Sequence, residues 1–457
     1  MSYICSNCIG EEFLRNLVAR EASQDEPCEY CEREESPTVE IGFIADRCDA
    51  VIETFYELSS QTAAVIHFDR TPAGDDLPTV IQKLVRVNEA AVTAIVETLS
   101  DKWFDGDSME SRYGDDDDPW FVLKSHLGSA MSARWAEMES SLRNEARHLN
   151  PNVAEFMGEV FGDIAADVTA KGSSVLVDAG PGSSIDKLFR AREFQTEKGL
   201  YDALHHPEKF LGAPAVGIGR AGRMNAAGQP AFYGATDADI ALAEVRPAVG
   251  SYTVVATFAI TRPLKLLDLG LLMEVRLKEG ASLFDPMTKA AAERRDFLKT
   301  LCTKMTLPVV PEGQDHDYLI TQVVADYLAM HPRASIDGIV YPSVQFETPV
   351  GKNEERRGQN IVLFHKAATT LYADSMKSTG FVQLYQVDSQ DSEEYWYPCI
   401  EFGAPEPESS YFQRPGFNPK PALELVRDSI HIHRITSVKI FSDDSPVRLG
   451  TLGPWSR

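Results

Sequence analysis

The stretch Gly222-Arg223-Met224-Asn225-Ala226-Ala227-Gly228-Gln229-Pro230-Ala231-Phe232-Tyr233-Gly234-Ala235-Thr236, followed by Ala241-Leu242-Ala243-Glu244-Val245-Arg246, carries the most chemistry in this chain. Glycines and a proline make its first part a loop. Tyr233 ends a short strand, and apolar spacing from Asp237 to Val245 predicts the next helix. An arginine on a glycine-flanked loop, a tyrosine and a glutamate can meet in one cleft. A guanidinium forks phosphate, a phenol ring stacks on a flat ring, and a carboxylate stabilises developing positive charge. A surface pair between Arg223 and Glu244 would use the same letters.

Just upstream, Gly217-Ile218-Gly219-Arg220-Ala221-Gly222 spells the GxGxxG pattern of dinucleotide-binding folds. That pattern needs a strand before it and a helix opening within it. Gly228 and Pro230 follow and end any nascent helix. The segment reads as a loop turn.

Outward from this loop the chain alternates short β-branched runs with helical windows. Strands are predicted at Val175–Val177, Leu188–Arg192, Tyr252–Ile260, Leu264–Leu267, Ile336–Tyr341 and Asn360–Phe364. Helices are predicted at Met287–Lys304 and Tyr318–Met330. This is a mixed α/β domain. Upstream of about Lys171 the reading is helical, with candidates at Asp46–Leu58, Thr79–Leu99, Trp120–Arg147 and Val153–Val168. The acidic run Asp115–Asp118 is expected to cap the third of these, where it complements the helix dipole. Beyond Tyr372 come Pro- and acid-rich sequence and a last strand-like segment, Ile430–Phe441.

Four of seven cysteines form two knuckles, Cys5-Ser6-Asn7-Cys8 and Cys28-Glu29-Tyr30-Cys31, separated by residues 9–27. That spacing suits a closed four-cysteine zinc site, structural because no ligand position stays open. An odd cysteine count in a long chain does not read as a disulfide framework. Cys48, Cys302 and Cys399 are isolated and expected to pack in cores.

The 457 residues carry 69 Asp plus Glu against 44 Lys plus Arg, a formal net charge of −25. At roughly 100–200 residues per domain, several cores are expected. The charge weighs against a dedicated nucleic-acid binder, but not against a basic patch around one phosphate-bearing ligand. No run reaches the roughly 18 apolar residues of a membrane helix, and Met1–Gly10 lacks the features of a signal peptide. No membrane association and a cytoplasmic location are expected.

The loop–strand–helix segment resembles the opening half of a RES domain, the family named for Arg, Glu and Ser. Arg223, Tyr233 and Glu244 fill its pattern in order. Tyr318 to Leu328, Ile336 to Ser343 and Gly358 to Phe364 resemble its second half, with Ser343 matching the family serine. The similarity spans Ile185–Lys366. One departure is that Val344-Gln345-Phe346 and a longer Glu347–Arg357 insertion stand where many relatives have Ser and Arg.

The resemblance implies an ADP-ribosyltransferase-like fold that consumes NAD. Members occur as toxins of toxin–antitoxin pairs that hydrolyse or phosphorolyse NAD, or transfer ADP-ribose to a protein. On this basis Arg223 is expected to hold the pyrophosphate and Tyr233 to pack on the nicotinamide ring. Glu244 would stabilise the ribosyl cation or orient the acceptor, and Ser343 would hydrogen-bond the nicotinamide end. Arg190 is a second phosphate candidate, with an ordinary strand-edge charge as the alternative; Asn225 is a further cofactor contact. An acidic chain must gather its few cations to bind a dianion, so Arg223 with Arg190 or Arg220 is expected to line one positive cleft.

The knuckles followed by Trp135–Ile164 resemble the N-terminal region often fused to RES domains and classed with HEPN helical domains. Arg143-Asn144 and His148 match the Arg-Asn-x-x-x-His pattern of HEPN ribonucleases, which implies the alternative function: an RNA-binding or RNA-cleaving protein whose RES domain senses a ligand. His148 capping a helix end would explain the same residue. The expected fold class is multidomain α and α+β, with a zinc-knuckle segment at 1–37, a helical HEPN-like domain at 38–172, a mixed α/β RES domain at 173–371 and a C-terminal extension at 372–457 packing on it. Expected partners are NAD, an antitoxin or immunity protein, and a second copy through the helical domain.

Overall fold

The computed structural model describes residues 2–22, 26–31, 36–59, 73–113, 119–125, 127, 129–145, 150–307, 314–343, 358–371, 380–388, 393–402, 420–439, 444–445 and 447. The chain divides into two compact units, Met1–Val175 with Leu271–Met305, and Leu176–Gly270 with Thr306–Arg457.

In the first unit, β1 (Tyr3–Cys5) and β2 (Thr38–Glu40) pair antiparallel. Further on, β3 (Tyr56–Leu58), β4 (Asp75–Asp76), β5 (Phe104–Asp105), β6 (Glu110–Ser111) and β7 (Trp120–Leu123) form a three-stranded sheet in the order β3-β7-β4 and a β5–β6 hairpin. The expected purely helical region is therefore interrupted by strands. The helix predicted at Asp46–Leu58 runs Ile41–Phe55 and gives way to β3. The one predicted at Thr79–Leu99 is two, Leu77–Val85 and Glu89–Trp103. Arg86 takes a left-handed φ of 59° between them, and the Asn88 side chain accepts from Ala91 N at 3.0 Å to start the second. Trp120–Leu123 is strand rather than helix: Phe121 is buried against Trp103 and Tyr113, and the helix begins only at Ser129. The expected cap of that helix falls away with it, and residues 115–118 lie outside the described residues. The helix of Pro151–Phe161 follows. Cys48 and Cys302 are buried as expected, whereas Cys399, in the second unit, is only half-buried.

The second unit is built on an eight-stranded mixed sheet. Its strands are β8 (Leu176–Ala179), β9 (Lys187–Phe194), β10 (Phe232–Ala235), β11 (Tyr252–Ile260), β12 (Leu264–Asp268), β13 (Gly338–Pro342), β14 (Gln359–Leu363) and, after β15 (Gly380–Val387) and β16 (Glu394–Phe402), β17 (Leu423–Arg434). The order is β17-β11-β9-β10-β14-β13-β12-β8. Among the described strands of this sheet, only β12 and β13 pair in parallel. Every strand predicted from the β-branched runs is present, and the C-terminal strand starts earlier than expected, at Leu423, and completes one edge of the sheet.

Side chains alternate across a sheet, and the register assigns them. Leu188, Phe232, Val254, Phe258, Ile361, Leu363 and Val340 belong to one large apolar core. Ala191, Ala235 and Val255 face the other way, against Ile240 and Ala241 of the helix Ala238–Glu244. The candidate site residues Tyr233, Tyr341 and Asn360 lie on that second face.

The β15–β16 pair is tied in by a carboxylate. Glu197 Oε1 accepts from the hydroxyls of Tyr385 and Tyr252, each at 2.7 Å, and Trp396 stacks on Tyr252 with ring centroids 5.7 Å apart. The Tyr385 and Tyr252 hydrogen bonds hold Glu197 below its ordinary 4.5. A carboxyl with a lowered folded value stabilises above its unfolded value and loses that contribution as pH falls through the folded one. The same bond pushes Tyr385 up to about 12 from 10.0, so on the alkaline side the contribution is present below 10 and lost toward 12. Docking of the hairpin is therefore expected to hold from above pH 4.5 to pH 10. Near-ultraviolet dichroism against pH checks this: Glu197→Gln should remove the acid transition, and an unchanged acid limb would refute it.

Candidate functional site

The loop before β10 is stapled by its glycines. Gly217 N donates to Gly228 O and Gly228 N to Gly219 O, both at 2.8 Å, with φ of 85° and 83° that only glycine adopts freely. No helix opens in it, as expected. The Asn225 side chain organises the next turn. Its Nδ2 donates to Arg220 O at 3.0 Å and to Ala226 O and Gln229 O, each at 3.1 Å, while its Oδ1 accepts from Tyr233 Oη at 2.7 Å. Tyr233 Oη in turn accepts from Met224 N at 3.0 Å. The buried amide is engaged on both atoms by its own loop.

Gly222 is needed for this closure. A Cβ there would lie 2.5 Å from Asn225 Oδ1 and 2.6 Å from Tyr233 Oη. Its carbonyl accepts from Gln322 Nε2 at 2.8 Å, and Arg223 O accepts from Thr321 Oγ1. The arginine is thus clamped by the helix Gln314–Ala329, with Nη1 on Leu307 O at 2.7 Å and the guanidinium 5.9 Å from the Tyr318 ring centroid.

Glu244 ends the helix Ala238–Glu244, exposed, and its Oε2 accepts from Asn360 Nδ2 at 3.0 Å. Asn360 pairs with Ala235 on β10 and with Tyr341 on β13, and Tyr233 pairs with Val362. Tyr233, Asn360 and Tyr341 therefore share one face of the sheet. Tyr341 feels the charges of the group. Burial pushes its hydroxyl up, the charge of Glu244 and the phenol of Tyr233 push the same way, and Arg223 opposes them. Burial likewise raises Tyr233, with Arg190 and Arg223 pulling it down. Ser343 follows β13, two residues beyond Tyr341, half-buried, with its N–H on Gly358 O at 3.1 Å.

Arg190 sits differently. It lies on interior strand β9, between β11 and β10, so the strand-edge alternative does not hold. Phe189 pairs with Ala235, which puts Arg190 on the face opposite the Tyr233 ring. Its guanidinium lies 4.8 Å from the Phe232 centroid, Nη1 donates to Tyr233 O at 2.8 Å, and Nε is buried with no partner among the described residues. Burial and then the like charge of Arg192 push it down to about 10. Arg192, two residues along, feels Arg220 in the same way and bonds Phe210 O. No carboxylate pairs with Arg190, Arg192 or Arg220 among the described residues. Guanidinium groups that repel one another and have no carboxylate partner among the described residues, in a chain of net charge −25, are suited to an anion.

A family model for the RES domain matches residues 187–382. The chain carries a RES domain. The match opens on the first residue of β9 and holds Arg190, Arg223, Tyr233, Glu244, Ser343 and Asn360. It also takes in Leu271–Met305, which belongs to the first compact unit. Residues 38–172, the region likened to HEPN, lie outside the match. There, Arg143 is exposed near the end of the helix Ser129–Asn144, and His148 lies outside the described residues. No curated protein and no solved structure matches the chain. No helix among the described residues is long and apolar enough to cross a membrane.

Tyr341, Asn360, Arg192 and Tyr318 were not singled out by sequence reasoning. A Tyr and an Asn inside apolar strands gave the only signal; their place beside Glu244 needed the register.

The cysteine cluster of the first unit is separate. The sulfurs of Cys5, Cys8, Cys28 and Cys31 all lie within 4.8 Å of one another. Cys5 Sγ is 3.6 Å from both Cys8 Sγ and Cys31 Sγ, and Cys8 Sγ is 3.7 Å from Cys28 Sγ. Tetrahedral zinc with Zn–S bonds of ~2.3 Å has edges of about 3.8 Å, so the four sulfurs fit. Burial, then the crowding sulfurs, pushes the Cys8 thiol up; a dication reverses that balance.

If the Gly222 approach holds the site together, Gly222→Ala should lower turnover about tenfold, the equivalent of roughly 1.4 kcal/mol. Gly106→Ala, where a Cβ meets nothing within 4 Å, is the control, measured in the assay below. Equal activity of the two variants would refute the point.

Proposed function

We propose that this protein is a toxin-type enzyme that consumes NAD by breaking the bond between nicotinamide and ribose. The observation that supports the reading is that Tyr233, Tyr341 and Asn360, the last bonded to Glu244, share one face of the sheet within the RES match. In the reaction the C–N bond breaks, nicotinamide leaves as the neutral base with the bonding pair, and the ribosyl group becomes oxocarbenium-like. Glu244 faces that charge, and a carboxylate helps most where charge develops. Arg223 binds the pyrophosphate. Tyr233 offers its ring to nicotinamide while its hydroxyl pins the loop. Ser343 hydrogen-bonds the nicotinamide end. Arg190 supports the phosphate side from across the sheet, and Asn225 acts by shaping the loop.

Water, phosphate or a protein side chain takes up the ADP-ribose. An antitoxin or immunity protein would cover the cleft, and a second copy would meet the helical region. The four cysteines hold structural zinc. Incubation of the purified protein with NAD, with and without phosphate or cell extract, should release free nicotinamide; no release under any of these conditions ends the proposal.

A further inference from the structure

We infer that Asn360 is the positioning residue for Glu244; this rests on the NAD-cleaving reading above. A carboxylate only accepts hydrogen bonds, so the amide must turn Nδ2 toward Glu244, and it does, at 3.0 Å. That choice leaves Oδ1 buried with no partner among the described residues, in a residue 3% exposed. A buried acceptor left unsatisfied is costly. A strand that needed only to pair would place an apolar residue there, as its neighbours Ile361, Val362 and Leu363 do.

The strand that carries Asn360 is fixed against the helix that carries Glu244. A Cβ on Gly358 would lie 1.5 Å from Ile240 Cδ1, so the start of β14 and the helix Ala238–Glu244 meet with no space for a side chain between them. β14 itself is held between β10 and β13. Asn360 thus transmits a rigid backbone position to an otherwise exposed carboxylate at the end of a short helix. It binds Oε2, which directs Oε1 to the ribose.

The test uses the full chain, nicotinamide release and a pH profile. Asn360→Leu should lower kcat about tenfold with KM for NAD within about threefold, because orientation rather than binding is lost. Asn360→Asp, nearly the same size, sets a second carboxylate against Glu244. Like charges raise a shared titration, so the acid limb of the kcat profile should move up by about one pH unit or more. Should Asn360→Leu fail to fold, the Asn360→Asp profile decides. An unmoved limb, or Asn360→Leu with wild-type kcat, overturns the proposal while Glu244→Ala inactivity preserves the reading of the site. Glu244→Ala with wild-type release overturns both.

Discussion

Glu244→Ala is expected to lower nicotinamide release from NAD by about 100-fold or more, the scale for removing a preorganised electrostatic partner of the transition state. The carboxylate is exposed, so its substitution leaves no cavity, but it strips buried Asn360 Nδ2 of its partner, and a modest fall in thermal midpoint should accompany the loss. On the proposed reading its role is electrostatic: Glu244→Gln keeps an oxygen for Asn360 to bond but removes the charge, and should be nearly as inactive. Arg223→Ala should cost a similar factor in kcat/KM, with more of it in KM, since a pyrophosphate is held in ground and transition states alike. Retention of more than about a tenth of wild-type activity by Glu244→Ala would show that this carboxylate does not face the developing charge.

Metal removal carries the second large effect. A four-cysteine zinc site contributes on the order of 10–16 kcal/mol of apparent folding free energy at pH 7. Here the knuckles are joined to the first unit by hydrogen bonds. Gly10 N donates to Arg86 O at 3.0 Å, Glu29 N to Tyr3 O at 3.0 Å, and Asn88 Nδ2 to Tyr30 O at 3.0 Å. Cys5 and Cys28 lie in the same core as Ile4, Leu14, Val18 and Val85. A strong chelator, or Cys28→Ser, is therefore expected to unfold the segment from β1 to β2 and expose that core. Protease cleavage within residues 2–40 and one equivalent of zinc per chain by elemental analysis are the measurements. A metal-free protein with the same protease resistance would remove the structural role.

Much of the second unit was legible because its signals are local. The β-branched runs gave six sheet strands in place, since alternation and turn residues act within a few positions. The helical region was read less well. Thr79–Leu99 keeps its apolar period across Arg86, and period alone does not register one residue turning left-handed. Trp120–Leu123 carries aromatics that suit helix or strand, and pairing with β3 and β4 decided between them.

For the site, the letters Arg223, Tyr233, Glu244 and Ser343 stood in the order of a RES domain, and the family match holds all four. What each touches was not in the letters. The resemblance implies a cofactor contact for Asn225, and the fold shows in addition that its amide is engaged by Arg220, Ala226, Gln229 and Tyr233. Arg190 was weighed as an edge charge, yet β9 is interior.

The sequence by itself determined the mixed α/β class, the four-cysteine cluster and the family, because composition, spacing and residue order are properties of neighbours along the chain. Only the tertiary structure decided that Tyr341 and Asn360 lie beside Glu244, and that Arg190 and Tyr233 take opposite faces. The reason is the register. Tyr341 and Asn360 meet across β13 and β14, and Asn360 meets Glu244 from a helix more than a hundred positions earlier in the chain. Such pairings are fixed by which strands lie side by side, and a one-residue slip would have turned every one of these side chains to the opposite face.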